Sequence, residues 1–244
     1  ALNSDNPNAQ QRHQEDEVIV EVREEQGRLE GHAKVVFVLD YSGSMNGDPL
    51  DQLKEGFLSI VGSNYPMDYG VILFSANIVD RTPIGSGPAH FRNTEDVVLR
   101  YDSQTSTKFT NPLREAIRLL KAEPGQDLFI ILMSDGRPQD LNSAQSLVRR
   151  EVHQAPRRAC EGFGNGKCIT VYTLAVDGAQ RSALKSLSGN AVEPRGDDYN
   201  YRADSSQIRV AFEHILANIL CRYGPLDPGP SPEEEDTLNV FINE

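Results

Sequence analysis

Residues 35–46 read VVFVLDYSGSMN, placing the carboxylate of Asp40 and the hydroxyls of Ser42 and Ser44 at two-residue spacing behind an apolar run. Three kinds of chemistry use such a set: a covalent nucleophile, a phosphate-cradling turn, or a metal site. The nucleophile fits poorly. A serine-hydrolase elbow needs Gly-x-Ser-x-Gly, but Ser42 lacks the preceding glycine and Ser44 the following one. A phospho-aspartyl centre would call for a second carboxylate two residues after Asp40, where Ser42 stands. The phosphate cradle fails on glycines: no GxGxxG or P-loop pattern follows this strand, and the GSG at 85–87 lies in a loop region.

The metal reading fits better. A second apolar run, DLFIILMS (127–134), ends in Asp135-Gly136, and the loop QTSTKFTNPL (104–113) offers Thr107 or a neighbouring hydroxyl (Thr105, Ser106 or Thr110) ahead of a helix. Every candidate donor is an oxygen. Such a set selects a hard cation, Mg²⁺ first, with Mn²⁺ or Ca²⁺ as substitutes. The histidines at 13, 32, 90, 153 and 214 are scattered, and no Cys/His metal spacing occurs.

The elements that must position these residues are legible as alternating strands and helices. KVVFVLD (34–40), YGVILFS (69–75), DLFIILMS (127–134) and ITVYTLAV (169–176) are continuous, β-branched runs, the pattern of strands covered on both faces of a parallel sheet. Asp48-Pro49 and Asn111-Pro112 open two helices, carrying Leu50, Leu53, Phe57 and Val61, and Leu113, Ala116, Ile117 and Leu120. Further helices are expected at 141–152, 179–187 and along Ile208, Phe212, Ile215, Leu216 and Ile219. IVDRTPIG (78–85) reads as an antiparallel edge strand, and 83–106 as mostly loop. The fold class expected is α/β, a doubly wound, mostly parallel sheet flanked by helices. Asp40 then ends a central strand at the carboxyl edge, where open α/β sheets place their ligand crevice.

Around this core (34–221) the expected organisation is a polar arm at 1–16, a domain at 17–223 with an extra N-terminal strand (VIVEVRE, 18–24), a Pro-rich acidic linker at 224–236 and a strand-like tail at 237–244. The net charge of −12 argues against a nucleic-acid partner. Arg149, Arg150, Arg157 and Arg158 read as a solvated helix face. No apolar run approaches the ~18 residues of a membrane span. Cys160 and Cys168 bracket a short loop and could close a small disulfide ring, leaving Cys221 over.

DYSGSM (40–45) resembles the Asp-x-Ser-Gly-Ser signature of von Willebrand factor A domains, whose metal-ion-dependent adhesion site also uses a loop threonine and a later aspartate. The resemblance runs from about Lys34 to Cys221. It implies that Asp40, Ser42, Ser44, Thr107 and Asp135 are the metal ligands. The threonine loop departs from the family by lacking the usual glycine before its helix. The implied function is metal-dependent binding of a partner carboxylate, with no enzymatic activity, since nothing resembles a general base beside a bound water. An exported adhesive or pilus-associated module, of bacterial surface type, is the expected setting. It is suggested by the opening Ala1 (the start of a processed or trimmed chain), the cysteine pair and the linker. The alternative is a cytoplasmic assembly module working with an ATPase or chelatase-type complex.

Overall fold

In the computed structural model, residues 33–63, 65–124, 127–160, 167–177 and 179–221 are described. His32–Leu220 form one compact unit. The expected arm, the strand at 18–24, the linker and the tail lie outside the described residues.

The apolar runs become the strands β1 (Ala33–Asp40), β2 (Met67–Phe74), β4 (Asp127–Ser134) and β5 (Cys168–Val176), joined by β3 (Ile78–Gly85) and β6 (Asn200–Ala203) in a six-stranded sheet of order β3-β2-β1-β4-β5-β6. All neighbours pair in parallel except β2 with β3, which form an antiparallel hairpin at the edge. The helices are α1 (Asp48–Val61), α2 (Gly87–Arg100), α3 (Thr110–Ala122), α4 (Leu141–Val148), α5 (Arg157–Cys160), α6 (Arg181–Lys185) and α7 (Ile208–Leu220). The chain winds outward from β1 to β2 in one direction and through β4 to β5 and β6 in the other. The order reverses between β1 and β4, so the crevice of this doubly wound sheet opens above their carboxyl ends.

Alternate residues of β1 serve opposite faces. Val36 and Val38 pack with Leu113, Ile117 and Leu120 of α3 and with Leu147 and Val148 of α4. Phe37 points the other way, where its ring meets Phe57 of α1 at 5.0 Å, Phe212 of α7 at 5.9 Å and Tyr69 of β2 at 6.4 Å, all edge-on. Burial on both faces explains why these strands read as unbroken apolar runs.

Four elements differ from the sequence-based expectation. The segment 83–106 is not mostly loop, because α2 occupies Gly87–Arg100. Its buried stripe is Thr94, Val97 and Val98 behind the polar turns of His90 and Arg92, too thin an apolar pattern to mark a helix. The helix expected at 141–152 is α up to Val148 and continues as one π-helical turn, Arg149–His153. The helix expected at 179–187 is shorter, and β6 is a four-residue edge strand whose sequence, NYRA, carries no strand signal. Cys160 and Cys168 are joined by a disulfide, and Cys221 is exposed.

Phe37 is fully buried at the centre of its aromatic group. Phe37→Ala is expected to cost about 3–5 kcal/mol through lost burial and the residual cavity. Urea unfolding of the two proteins measures it.

Candidate metal centre

Asp40 ends β1 with its side chain wholly removed from solvent. One carboxylate oxygen, Oδ1, accepts the backbone N–H of Ser42 at 2.8 Å, and the other, Oδ2, accepts the hydroxyl of Ser134 at 2.5 Å. Ser134 closes β4, and its Oγ in turn accepts the N–H of Gly136 at 3.0 Å. A hydroxyl therefore bolts the ends of the two central strands together. Burial pushes Asp40 up to about 6, against the opposing pull of the Ser134 and Ser42 hydrogen bonds, with the charge of Asp135 adding to the rise.

The residues after Asp40 turn across the mouth of the crevice as a short 3₁₀ turn, Gly43–Met45. Ser42 Oγ lies 3.2 Å from Ser44 Oγ, and Ser44 Oγ donates to Asp135 Oδ1 at 2.8 Å. Asp135 is half-buried and likewise pushed up, first by burial and further by the charge of Asp177, while the Ser44 hydrogen bond works against this. Gly43 is required by a close approach: a Cβ there would meet the carbonyl oxygen of Gln104 at 2.9 Å.

Thr107 reaches the same place from the loop before α3. It is buried, and a Cβ on Gly136 would stand 2.8 Å from its Oγ1, so the glycine after Asp135 leaves room for that hydroxyl. The loop is pinned from several sides. Gln104 N–H donates to Tyr41 O at 2.6 Å, Lys108 N–H to Ser75 O at 2.9 Å, and Gln139 N–H to Thr107 O at 3.0 Å. Asp140 accepts the N–H groups of Phe109 and Thr110 at 2.8 and 2.9 Å, capping α3 from the β4 side. The other hydroxyls of the loop are placed elsewhere. Thr105 is exposed, and Thr110 lines the groove between α3 and α4 with its Oγ1 buried.

The structure thus brings Asp40, Ser42, Ser44, Thr107 and Asp135 to one edge of the sheet. Sequence reasoning missed three supporting residues, Ser134, Gly136 and Asp140. All lie within or just beyond MSDG, where a hydroxyl closing a buried strand and an aspartate ahead of a helix were the available signals. Neither Asp40 nor Asp135 has a Lys or Arg partner among the described residues. Of the described histidines, His90 bonds to Tyr69 O and His153 to Ser188 O, and His214 is exposed on α7. Two desolvated carboxylates without a cation, beside three hydroxyls, have the composition of a hard-cation site, and the oxygen-only donor set fits Mg²⁺, Mn²⁺ or Ca²⁺.

An open α/β sheet with an oxygen-lined crevice at its switch point defines a class of ligand-binding domain. Residues 35–138 match the family described as von Willebrand factor type A domain. The chain carries a domain of this family, and its sheet and helices continue the fold to Leu220. Among its relatives is the inter-alpha-trypsin inhibitor heavy chain H4 of Sus scrofa, 26% identical over 142 residues, which are 53% of this chain and 15% of that protein. The chain thus spans only a small part of the curated relative it matches.

Solved structures share the fold at low identity. The vWF domain of the type V pili tip protein Mfa5 from Porphyromonas gingivalis superposes with a TM-score of 0.58 at 12% identity, over 82% of this chain and 98% of that one. Proximal thread matrix protein 1 of the mussel byssus, in a structure with a zinc-occupied MIDAS motif, gives 0.54 at 17% identity, over 79% and 46%.

The raised position of Asp40 has a consequence for the metal-free domain. A carboxyl at about 6 when folded and 3.8 when unfolded contributes stability below pH 3.8 that is lost as pH rises through 6. In EDTA, raising the pH from about 4 to 7 is expected to remove on the order of 2–3 kcal/mol from wild type relative to Asp40→Asn, which has no such proton to lose. Urea unfolding across pH checks it, and Mg²⁺ at neutral pH should restore the wild type.

Proposed function

We propose that this domain is a binding module that captures an acidic group of a protein partner through a divalent cation held by Asp40, Ser42, Ser44, Thr107 and Asp135. The observation that carries the reading is the convergence of two desolvated carboxylates at an open sheet edge, with hydroxyls between them and no cationic side chain opposite. A bound Mg²⁺ would supply the positive charge that two buried carboxylates lack and an exchangeable position for a partner's carboxylate. The residues' own work is mechanical. Ser134 and the Ser42 N–H fix the Asp40 carboxylate, while Asp140 and Gly136 fix the Thr107 loop against Asp135.

Binding rather than catalysis is the reading preferred, because among the described residues no histidine is bonded to the five site residues as a general base. The domain is proposed to act outside the cell. The Cys160–Cys168 disulfide supports an oxidising compartment over the cytoplasmic assembly alternative. The likeness to a pilus tip protein and a byssal matrix protein supports the same setting.

A pull-down from surface and cytosolic fractions, run with Mg²⁺ or Mn²⁺ and with EDTA, tests the reading. The expected outcome is a surface protein retained by wild type with metal, and lost with EDTA or with Asp40→Ala. Retention of the same protein by Asp40→Ala in EDTA contradicts the proposal.

A further inference from the structure

Beside the metal centre, α3 and α4 diverge to leave a cleft of about 340 Å³ lined by Thr110, Arg114, Asn142, Ser143, Ser146 and Arg150. α3 starts three residues after Thr107 and α4 directly after Asp140, which accepts the Thr110 N–H, so the cleft leads away from the Thr107 loop along their first turns. Its lining is polar and cationic apart from Leu147. Thr110 Oγ1 is buried with no hydrogen-bond partner.

Arg114 differs from the other cations of its helix. Arg118 pairs with Glu115 and Lys121 with Glu151, whereas Arg114 has no carboxylate partner among the described residues and donates only to Asn111 Oδ1, at 2.9 Å. Arg150 uses Nε on Glu151 at 2.8 Å, on the edge of the same cleft. The α3 segment from Lys108 to Glu123 carries Lys108, Arg114, Arg118 and Lys121 against Glu115 and Glu123. Residues 141–153 carry Arg149 and Arg150 against Glu151. In a chain of net charge −12 this face is locally positive. Carboxylates are matched by arginine forks and hydroxyl donors of this kind.

We propose that the α3/α4 cleft receives a second carboxylate of the same acidic partner segment whose first carboxylate reaches the cation. The inference rests on the metal-bridged reading above. Arg114 lies one helical turn, about 6 Å, beyond Thr110. An extended peptide advances ~3.4 Å per residue, so an acid three residues after the metal-bound one reaches about 10 Å and enters the cleft. Arg114 and Arg150 then set specificity for a segment carrying paired acids over one carrying a single acid.

Two end-capped peptides, Asp-Gly-Gly-Gly and Asp-Gly-Gly-Glu, titrated into ¹⁵N-labelled protein by NMR in Mg²⁺, test the idea. The two-acid peptide is expected to bind roughly three- to tenfold tighter to wild type. That gain should vanish in Arg114→Gln and in Arg150→Gln, which leave the single-acid peptide unchanged, and the amides of Ser143 and Ser146 should shift only with the two-acid peptide. Equal affinities in wild type, or a gain that persists in both variants, overturns the cleft assignment while leaving the metal reading standing. Binding of both peptides that survives EDTA, with the gain still dependent on Arg114, overturns the metal bridge and retains the cleft. No binding of either peptide in Mg²⁺ overturns both. A sulfated disaccharide that shifts the Ser143 and Ser146 amides in EDTA more tightly than either peptide overturns the choice of an acidic peptide as occupant.

Discussion

Asp40 is an ionisable side chain placed where a doubly wound sheet buries it completely, and its charge has to be met by something. Dipoles meet part of it: the Ser42 N–H and the Ser134 hydroxyl both donate to the carboxylate. They do not cancel the cost of burial, which holds Asp40 at about 6, and the nearby Asp135 adds repulsion to it. A divalent cation would answer both terms at once, neutralising two carboxylates and accepting the hydroxyl lone pairs between them. The unfavourable burial of Asp40 is therefore the constraint around which the surrounding loops are arranged.

Those loops are held by backbone bonds more than by side chains. Tyr41 illustrates how far the bracing extends. Its N–H donates to Phe74 O at 2.7 Å, its carbonyl accepts from Gln104, and its phenol donates to Val98 O of α2 at 2.8 Å. The residue between Asp40 and Ser42 thus ties together β2, the threonine loop and α2. The Asp140 cap performs the equivalent service for α3 from the β4 side. Preorganisation of this kind lowers the ordering cost when a cation or an acidic partner arrives.

The centre of the sheet and the carboxylates at its edge were legible in the sequence for the same reason. Residues 34–40 and 127–134 are apolar on both faces because helices cover both faces, and a carboxylate ending such a run has no packing purpose. Thr107 was harder to single out because Thr105, Ser106 and Thr110 surround it. Only the fold shows that Thr107 is the buried hydroxyl beside Gly136, while Thr110 lines the α3/α4 cleft. The helix α2 escaped notice because Thr94 occupies a place where an apolar residue would have completed the stripe. Ser134 and the presence of Arg114 and Arg150 along one cleft depend on tertiary proximity, which no local pattern encodes.

The central claim is that a divalent cation sits between Asp40 and Asp135. Anomalous diffraction from crystals grown with Mn²⁺ tests it most directly. The account predicts a strong anomalous peak among the oxygens of Asp40, Ser42, Ser44, Thr107 and Asp135. Clear density for these five side chains with no anomalous peak among them, in crystals saturated with Mn²⁺, would contradict it.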